Sequence, residues 1–327
     1  MAKQRILIPH RIFGDALALL QEQFDVDYRD TEEFMPQEEF LAALRDVDGL
    51  MVYSRHKINA DVLAHAPQLK VVSNIAVGYD NLDLAALTAR GILATNTPDV
   101  LTETTADLTF GLLMAAGRRL AEADRFVKQG QWEGWFPSLM LGKDIHGATM
   151  GIIGLGRIGQ AVARRGAGFG MNILYHNRSR RPELEQELGV QYASLDELLE
   201  QSDYVVVLVP LSAESRHVIG ERELGMMKRD ALLINAARGA VIDEQALIHA
   251  LQEGRIAGAG LDVFEQEPVA KDNPLLKMSN VVTLPHIGSA SLATRSKMAT
   301  KAAQNMIAGL TGRKPENLVN PDAWRDN

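Results

Sequence analysis

Short apolar or β-branched runs alternate with amphipathic stretches along almost the whole chain. That is the hydrophobic pattern of parallel sheets covered by helices on both faces. In the first third, RILI (5–8), DGLMVY (48–53), KVVSN (70–74) and ILAT (92–95) predict strands. Between them, DALALLQEQF (15–24) and PQEEFLAALRD (36–46) carry apolar residues at helical spacing. A second series follows from Ala148: TMGIIG, NILYH, VQYA, YVVVLV, ALLINA, AGAGLDVF and NVVTLP. Two strand series predict two α/β domains.

One stretch, 102–130, reads as a single long helix and runs into the aromatic loop QWEGWFP (131–137). Its apolar centre, LTFGLLMAAG (108–117), is too short to cross a bilayer and predicts a buried helix. The C-terminal piece SLATRSKMATKAAQNMIAGLTG (291–312) is helical and has no strand of its own. A lone helix makes no core, so it is expected to pack back on the first domain. The first domain then comprises 1–99 and 290–327, around a second domain at 100–289.

Composition narrows the functional classes. Against 34 basic residues stand 42 acidic ones, a net charge of −8, which argues against nucleic acid as the partner. There is no cysteine, so disulfides, thiolate metal sites and thiol nucleophiles are excluded together. The N-terminal apolar run has four residues, fewer than a secretory signal needs. The expectation is a cytoplasmic protein with no membrane segment and no metal.

TMGIIGLGRIGQAVARR places Gly154, Gly156 and Gly159 in G-x-G-x-x-G spacing between a strand and a helix. The first glycine allows the turn, the second lets a pyrophosphate approach, and the third lets helix pack on strand. Arg157 and Ile158 open that helix, whose unpaired N–H groups face phosphate. This predicts a dinucleotide cofactor. NAD-specific versions place a carboxylate after the second strand to bind the ribose hydroxyls. Here the chain reads Asn177, Arg178, Ser179, Arg180. Guanidinium and hydroxyl groups suit a 2′-phosphate, so NADP(H) is expected to be preferred, with NAD(H) possible. The alternative is a solvated basic loop.

Hydride transfer to a carbonyl needs a cation that holds the substrate and a proton donor. Arg238 in LLINAARGAVID, Glu267 in GLDVFEQEP and His286 in NVVTLPHIGSAS each follow a predicted strand. The C-terminal ends of parallel strands are where such sheets bind ligands. A carboxylate beside an imidazole favours its protonated form, which suits a general acid.

The segments GIIGLGRIG, NAARGAVIDEQAL, GLDVFEQEP and LPHIGSA resemble the D-2-hydroxyacid dehydrogenase family across essentially the whole chain. VGYDNLDLAALTARGI, DVLTETTAD and NRS resemble its glyoxylate/hydroxypyruvate reductase branch, including bacterial 2-ketogluconate reductases. The resemblance implies a Rossmann nucleotide domain inserted in a flavodoxin-like substrate domain, both doubly wound parallel sheets. It implies reduction of small 2-keto acids to D-2-hydroxy acids. Arg238 would hold the substrate carboxylate and polarise the keto oxygen, and His286, kept charged by Glu267, would protonate that oxygen. The N–H groups of Val77 and Gly78 would bind the carboxylate from the other domain. Asp262 would meet the nicotinamide carboxamide, and Thr104 the cofactor phosphates. A homodimer is implied, for which the long helix and the QWEGWFP arm are candidates, although Trp132 and Trp135 also read as core aromatics. Rival readings are a dinucleotide-sensing co-regulator of the same fold and a formate, phosphite or phosphoglycerate dehydrogenase.

Overall fold

A computed structural model describes residues 3–325. The chain divides into two compact units, Met1–Leu101 with Ser289–Asn327 and Thr102–Gly288. In the first unit the apolar runs become β1 (Arg5–Ile8), β3 (Gly49–Val52), β4 (Val71–Asn74) and β5 (Leu93–Thr95), joined by β2 (Asp25–Tyr28). The order is β2-β1-β3-β4-β5, all parallel. Strands β3 and β4 are buried along their whole length, as an internal parallel strand must be. Strand β2 was not expected from the pattern. It lies at the sheet edge and buries little, and Asp27 pairs with Arg5 and Arg29. An edge strand needs no continuous apolar run.

The connecting helices are α1 (Ala16–Gln21), α2 (Gln37–Ala43), α3 (Ala60–Ala64) and α4 (Leu84–Ala89). Two begin at side-chain caps: Asn59 Oδ1 accepts from the Val62 N–H, and Asp83 Oδ1 from that of Ala86.

The second unit starts with α5 (Thr102–Gly117) and α6 (Leu120–Lys128). The single helix expected over 102–130 is therefore two. Arg119 is left-handed, at φ 56°, and the Gly117 carbonyl accepts from the Lys143 N–H at 2.8 Å. The returning chain takes up the carbonyl that would have continued the helix. Buried helix α5 packs on α7 (Arg157–Gly168) and on the sheet, as its apolar centre predicts.

That sheet has seven parallel strands. They are β6 (Thr149–Ile153), β7 (Asn172–His176), β8 (Gln191–Tyr192), β9 (Tyr204–Val207), β10 (Leu232–Asn235), β11 (Gly258–Leu261) and β12 (Val281–Thr283). Helices α8 (Pro182–Leu188), α9 (Leu195–Gln201), α10 (Glu221–Met226) and α11 (Glu244–Gln252) complete the unit. The order β12-β11-β10-β9-β6-β7-β8 reverses direction at β6, the topological switch point at which such sheets bind ligands. One core layer holds Leu198, Val205, Leu233 and Leu247, and the other Phe110, Met150, Tyr175 and Ile234. Helices thus cover both faces, and the expected α/β class with two doubly wound parallel sheets holds.

The C-terminal helix α12 (Leu292–Leu310) returns to the first unit. It packs so closely that a methyl group at Gly49 would stand 2.5 Å from Met306 Sδ. Ser73 Oγ, in β4, donates to the Ala302 carbonyl at 2.8 Å.

In the arm after α6, Trp132 is 58% exposed, Trp135 79% and Phe136 57%, so none is a core aromatic. No helix among the described residues is long and apolar enough to cross a membrane.

Candidate active site

Strand β6 delivers the chain to Gly154, whose φ of +103° excludes ordinary side chains. A methyl group at Gly159 would stand 2.3 Å from the Gly154 carbonyl oxygen, so α7 packs directly on the turn. At Gly156 the same group would meet nothing within 4 Å, which leaves open space beside the backbone. No side chain caps α7, whose first residues are exposed Arg157 and half-buried Ile158, and the N-terminus of a helix directs its first N–H groups toward an anion. A turn that is tight on the protein side and open beside a helix N-terminus fits a dinucleotide pyrophosphate. Thr104 lies half-buried in the first turn of α5.

The basic loop after β7 resolves into three parts. Asn177 Oδ1 accepts from the Leu155 N–H at 2.8 Å and ties the loop to the glycine turn. Arg180 is committed to Glu185, with Nε and Nη2 at 2.8 and 2.7 Å from its two oxygens. Arg181 likewise bonds Glu183. Arg178 and Ser179 remain exposed at the tip.

Arg238 follows β10 in a turn braced by buried Asn235. Its Nδ2 donates to the Arg238 carbonyl at 2.9 Å, and its Oδ1 accepts from the Ala237 N–H at 3.0 Å. The next residue, Gly239, lies against the loop after β11. A methyl group there would stand 1.8 Å from the Phe264 carbonyl carbon, so only glycine fits. The turn that carries Arg238 therefore rests on the loop that carries Glu267.

Buried Asp262, at the end of β11, is turned toward the protein. Its Oδ1 accepts from the Ile287 N–H and its Oδ2 from the Gly288 N–H, both at 2.8 Å, and its carbonyl accepts from the His286 N–H at 2.8 Å. Three bonds thus hold His286 in a left-handed conformation, φ 56°, that a non-glycine residue adopts only when its surroundings impose it.

The His286 ring meets Glu267, whose Oε2 lies 2.7 Å from Nδ1, while Glu267 Oε1 accepts from the Phe264 N–H at 3.1 Å. Burial pushes the Glu267 carboxyl up. The His286 hydrogen bond and charge, the Phe264 N–H and the Arg238 charge more than offset this and hold it below the usual carboxylate range. An ionised carboxylate only accepts, so Nδ1 carries the proton it donates and Nε2 is the nitrogen left to react. The arrangement is a half-exposed, oriented imidazole with a fixed counter-charge.

In the first unit, Val77 and Gly78 follow β4. The Val77 carbonyl accepts from Asn96 Nδ2 at 2.8 Å, and that of Gly78 from Asn74 Nδ2 at 2.9 Å. The Ala76 carbonyl likewise accepts from the Thr97 N–H at 2.9 Å, and since C=O and N–H point opposite ways in a trans peptide, these anchors aim the Val77, Gly78 and Tyr79 N–H groups away from the braces.

Residues 110–288 match the family described as D-isomer specific 2-hydroxyacid dehydrogenase, NAD binding domain. A glyoxylate reductase of Korarchaeum cryptofilum is 51% identical over 321 residues, which cover 98% of this chain and 97% of that protein. The chain belongs to the D-isomer specific 2-hydroxyacid dehydrogenase family. It is an NAD(P)-dependent oxidoreductase that acts between 2-keto acids and 2-hydroxy acids. The glyoxylate reductase of Thermococcus gammatolerans is 50% identical over 324 residues, 98% of this chain and 97% of that one. Among solved structures, an NADPH-dependent glyoxylate/hydroxypyruvate reductase from Sinorhizobium meliloti, in complex with NADP and malonate, superposes with a TM-score of 0.87 at 38% identity. That match covers 100% of this chain and 99% of the other.

Asn235 escaped the sequence reading. Its signal is an asparagine closing a buried strand directly before a turn, where both ends of a carboxamide find backbone partners.

Proposed function

We propose that this family member is an NADPH-preferring reductase of glyoxylate, hydroxypyruvate and 2-ketogluconate, yielding D-2-hydroxy acids. The observation that carries the chemistry is the 2.7 Å bond from His286 to a Glu267 held ionised, which leaves Nε2 as proton donor. Half-identity over full length to curated glyoxylate reductases supports the substrate class. In this reading Arg238 grips the substrate carboxylate and polarises the keto oxygen. His286 Nε2 gives its proton to the keto oxygen as C2 is reduced, and Glu267 stabilises the imidazolium before transfer. The reduced nicotinamide dinucleotide, when bound, supplies the hydride. Residues Gly154, Gly156, Gly159, Arg157, Ile158 and Thr104 hold its phosphates. Asp262 acts at the nicotinamide end while its carboxylate also braces the His286 loop.

The NADPH preference is assigned to Arg178 and Ser179, with Asn177 fixing the loop. Arg180 contributes less, because Glu185 already neutralises it. Arg178→Ala should cut the NADPH-to-NADH ratio of kcat/KM by roughly tenfold or more, the worth of one charge-assisted hydrogen bond. Arg180→Ala should change that ratio by less than about threefold, since its charge is already paired. Steady-state kinetics with both cofactors decides. A silent Arg178→Ala would leave the loop as solvated surface.

The same reading makes the protein a homodimer. The exposed Trp132, Trp135, Phe136 and Leu141, with Leu120 and Val127 on α6, support this as a row of large apolar groups suited to a second copy of the chain.

A further inference from the structure

His217 belongs to neither the phosphate turn nor the Arg238, Glu267, His286 set. It is nevertheless bonded to the turn that carries Arg238 and to the loop that carries Glu267. It lies in the loop after β9 with a φ of +53°, the left-handed region. Its backbone N–H donates to the Ala240 carbonyl at 3.0 Å, two residues beyond Arg238. Its Nε2 lies 2.5 Å from Glu265 Oε1, two residues before Glu267. Asp243 Oδ2 stands 4.0 Å from Nδ1.

The segment it grips is held from several sides. The Glu265 N–H donates to Glu244 Oε2 at 3.1 Å, and Glu244 Oε1 accepts from Asn273 Nδ2 at 2.7 Å. Gly239 is also pressed against the Phe264–Glu265 peptide. Phe264 matters because its own N–H, on the preceding peptide, is the second partner of the Glu267 carboxylate. Where Phe264 sits, Glu267 sits, and Glu267 holds Nδ1 of His286. The His217–Glu265 pair is 40% and 33% exposed, and even a fully charged pair this exposed contributes little to stability. Position is what remains for it to supply.

We propose that His217 is a positioning residue for the reaction, its ring and backbone tying the Arg238 turn to the Glu267 loop and so fixing Glu267 against His286. This rests on the assignment of His286 as proton donor and Arg238 as substrate clamp.

The test compares His217→Ala, His217→Gln and Glu265→Ala in the full-length protein. The readouts are kcat and KM for glyoxylate with NADPH across pH, and NADPH affinity by fluorescence titration. His217→Ala and Glu265→Ala should each lower kcat by about 5- to 20-fold, part of the roughly 100-fold that a 1 Å misplacement of a catalytic group costs. Both should move the alkaline limb of the reduction profile to lower pH, because a displaced Glu267 favours the imidazolium less. His217→Gln keeps a donor where Nε2 stands and should restore kcat to within about threefold. NADPH affinity should stay within about twofold in all three, since none of these side chains belongs to the phosphate turn.

An unchanged kcat and pH profile in His217→Ala overturns the proposal. So does a His217→Gln as impaired as the alanine, or a loss confined to NADPH affinity. Should His217→Ala fail to fold, Glu265→Ala decides on the same criteria. His286→Ala in the same series separates the two levels. If it leaves the alkaline limb in place, the proton-donor assignment itself fails. If it removes that limb while His217→Ala and Glu265→Ala are silent, only the positioning role fails.

Discussion

His286→Ala is expected to lower kcat for 2-keto acid reduction by roughly 10²–10⁴-fold, the usual contribution of a positioned general acid. KM for the keto acid and affinity for the cofactor should change far less, because in this account the imidazole acts on the keto oxygen only as the bond breaks. Stability should change little, since the side chain is 39% exposed and, among the described residues, its ring bonds Glu267 alone. The pH dependence has a definite sign. Reduction requires a proton on Nε2 and should slow as pH rises, whereas oxidation of the hydroxy acid requires a bare Nε2 and should speed up. Glu267 is held below the usual carboxylate range, so its charge persists as pH falls and is lost only below that range. Steady-state kinetics in both directions, fluorescence titration of NADPH and a thermal midpoint together check every part. A variant that keeps near-native kcat at neutral pH would remove His286 from the mechanism.

Arg238→Ala is expected to damage binding and turnover together. Two charge-assisted hydrogen bonds to a carboxylate and its neighbouring keto oxygen are worth about 3–6 kcal/mol, so kcat/KM should fall by roughly 10²–10⁴-fold. Arg238→Lys keeps the charge and loses the planar fork, and should recover KM better than kcat. Neither change should unfold the turn. Asn235 braces it through the Arg238 carbonyl and the Ala237 N–H, which the substitutions leave in place. Thermal midpoints measured beside the kinetics separate a lost clamp from a lost fold. A full loss of activity with a collapsed midpoint would assign Arg238 to structure instead.

Much of the architecture was legible because internal parallel strands are buried on both faces and cannot avoid apolar runs. Strand β2 was not, because an edge strand with Asp27 ion-paired to Arg5 and Arg29 carries no such run. The break between α5 and α6 was hidden for a different reason. It depends on the Lys143 N–H reaching the Gly117 carbonyl, a contact between residues far apart in sequence. The placement of Arg238, Glu267 and His286 after strands could be read directly. Their mutual geometry could not, because it is set by the Asp262 bonds to 286–288 and by the fit of Gly239 on Phe264. The basic loop carries its own counter-charges in plain view. Glu183 and Glu185 follow it within a few residues and pair with Arg181 and Arg180, which leaves Arg178 and Ser179 outside these ion pairs.

The central claim is an NADPH-preferring reductase of small 2-keto acids. Initial rates of NADPH and NADH oxidation at matched concentrations, with glyoxylate, hydroxypyruvate and 2-ketogluconate, test it most directly. The account predicts rapid turnover of at least one of these acids with NADPH and markedly slower turnover with NADH. No turnover of any of the three with either cofactor would contradict it, and equal or faster rates with NADH would contradict its assignment of Arg178 and Ser179.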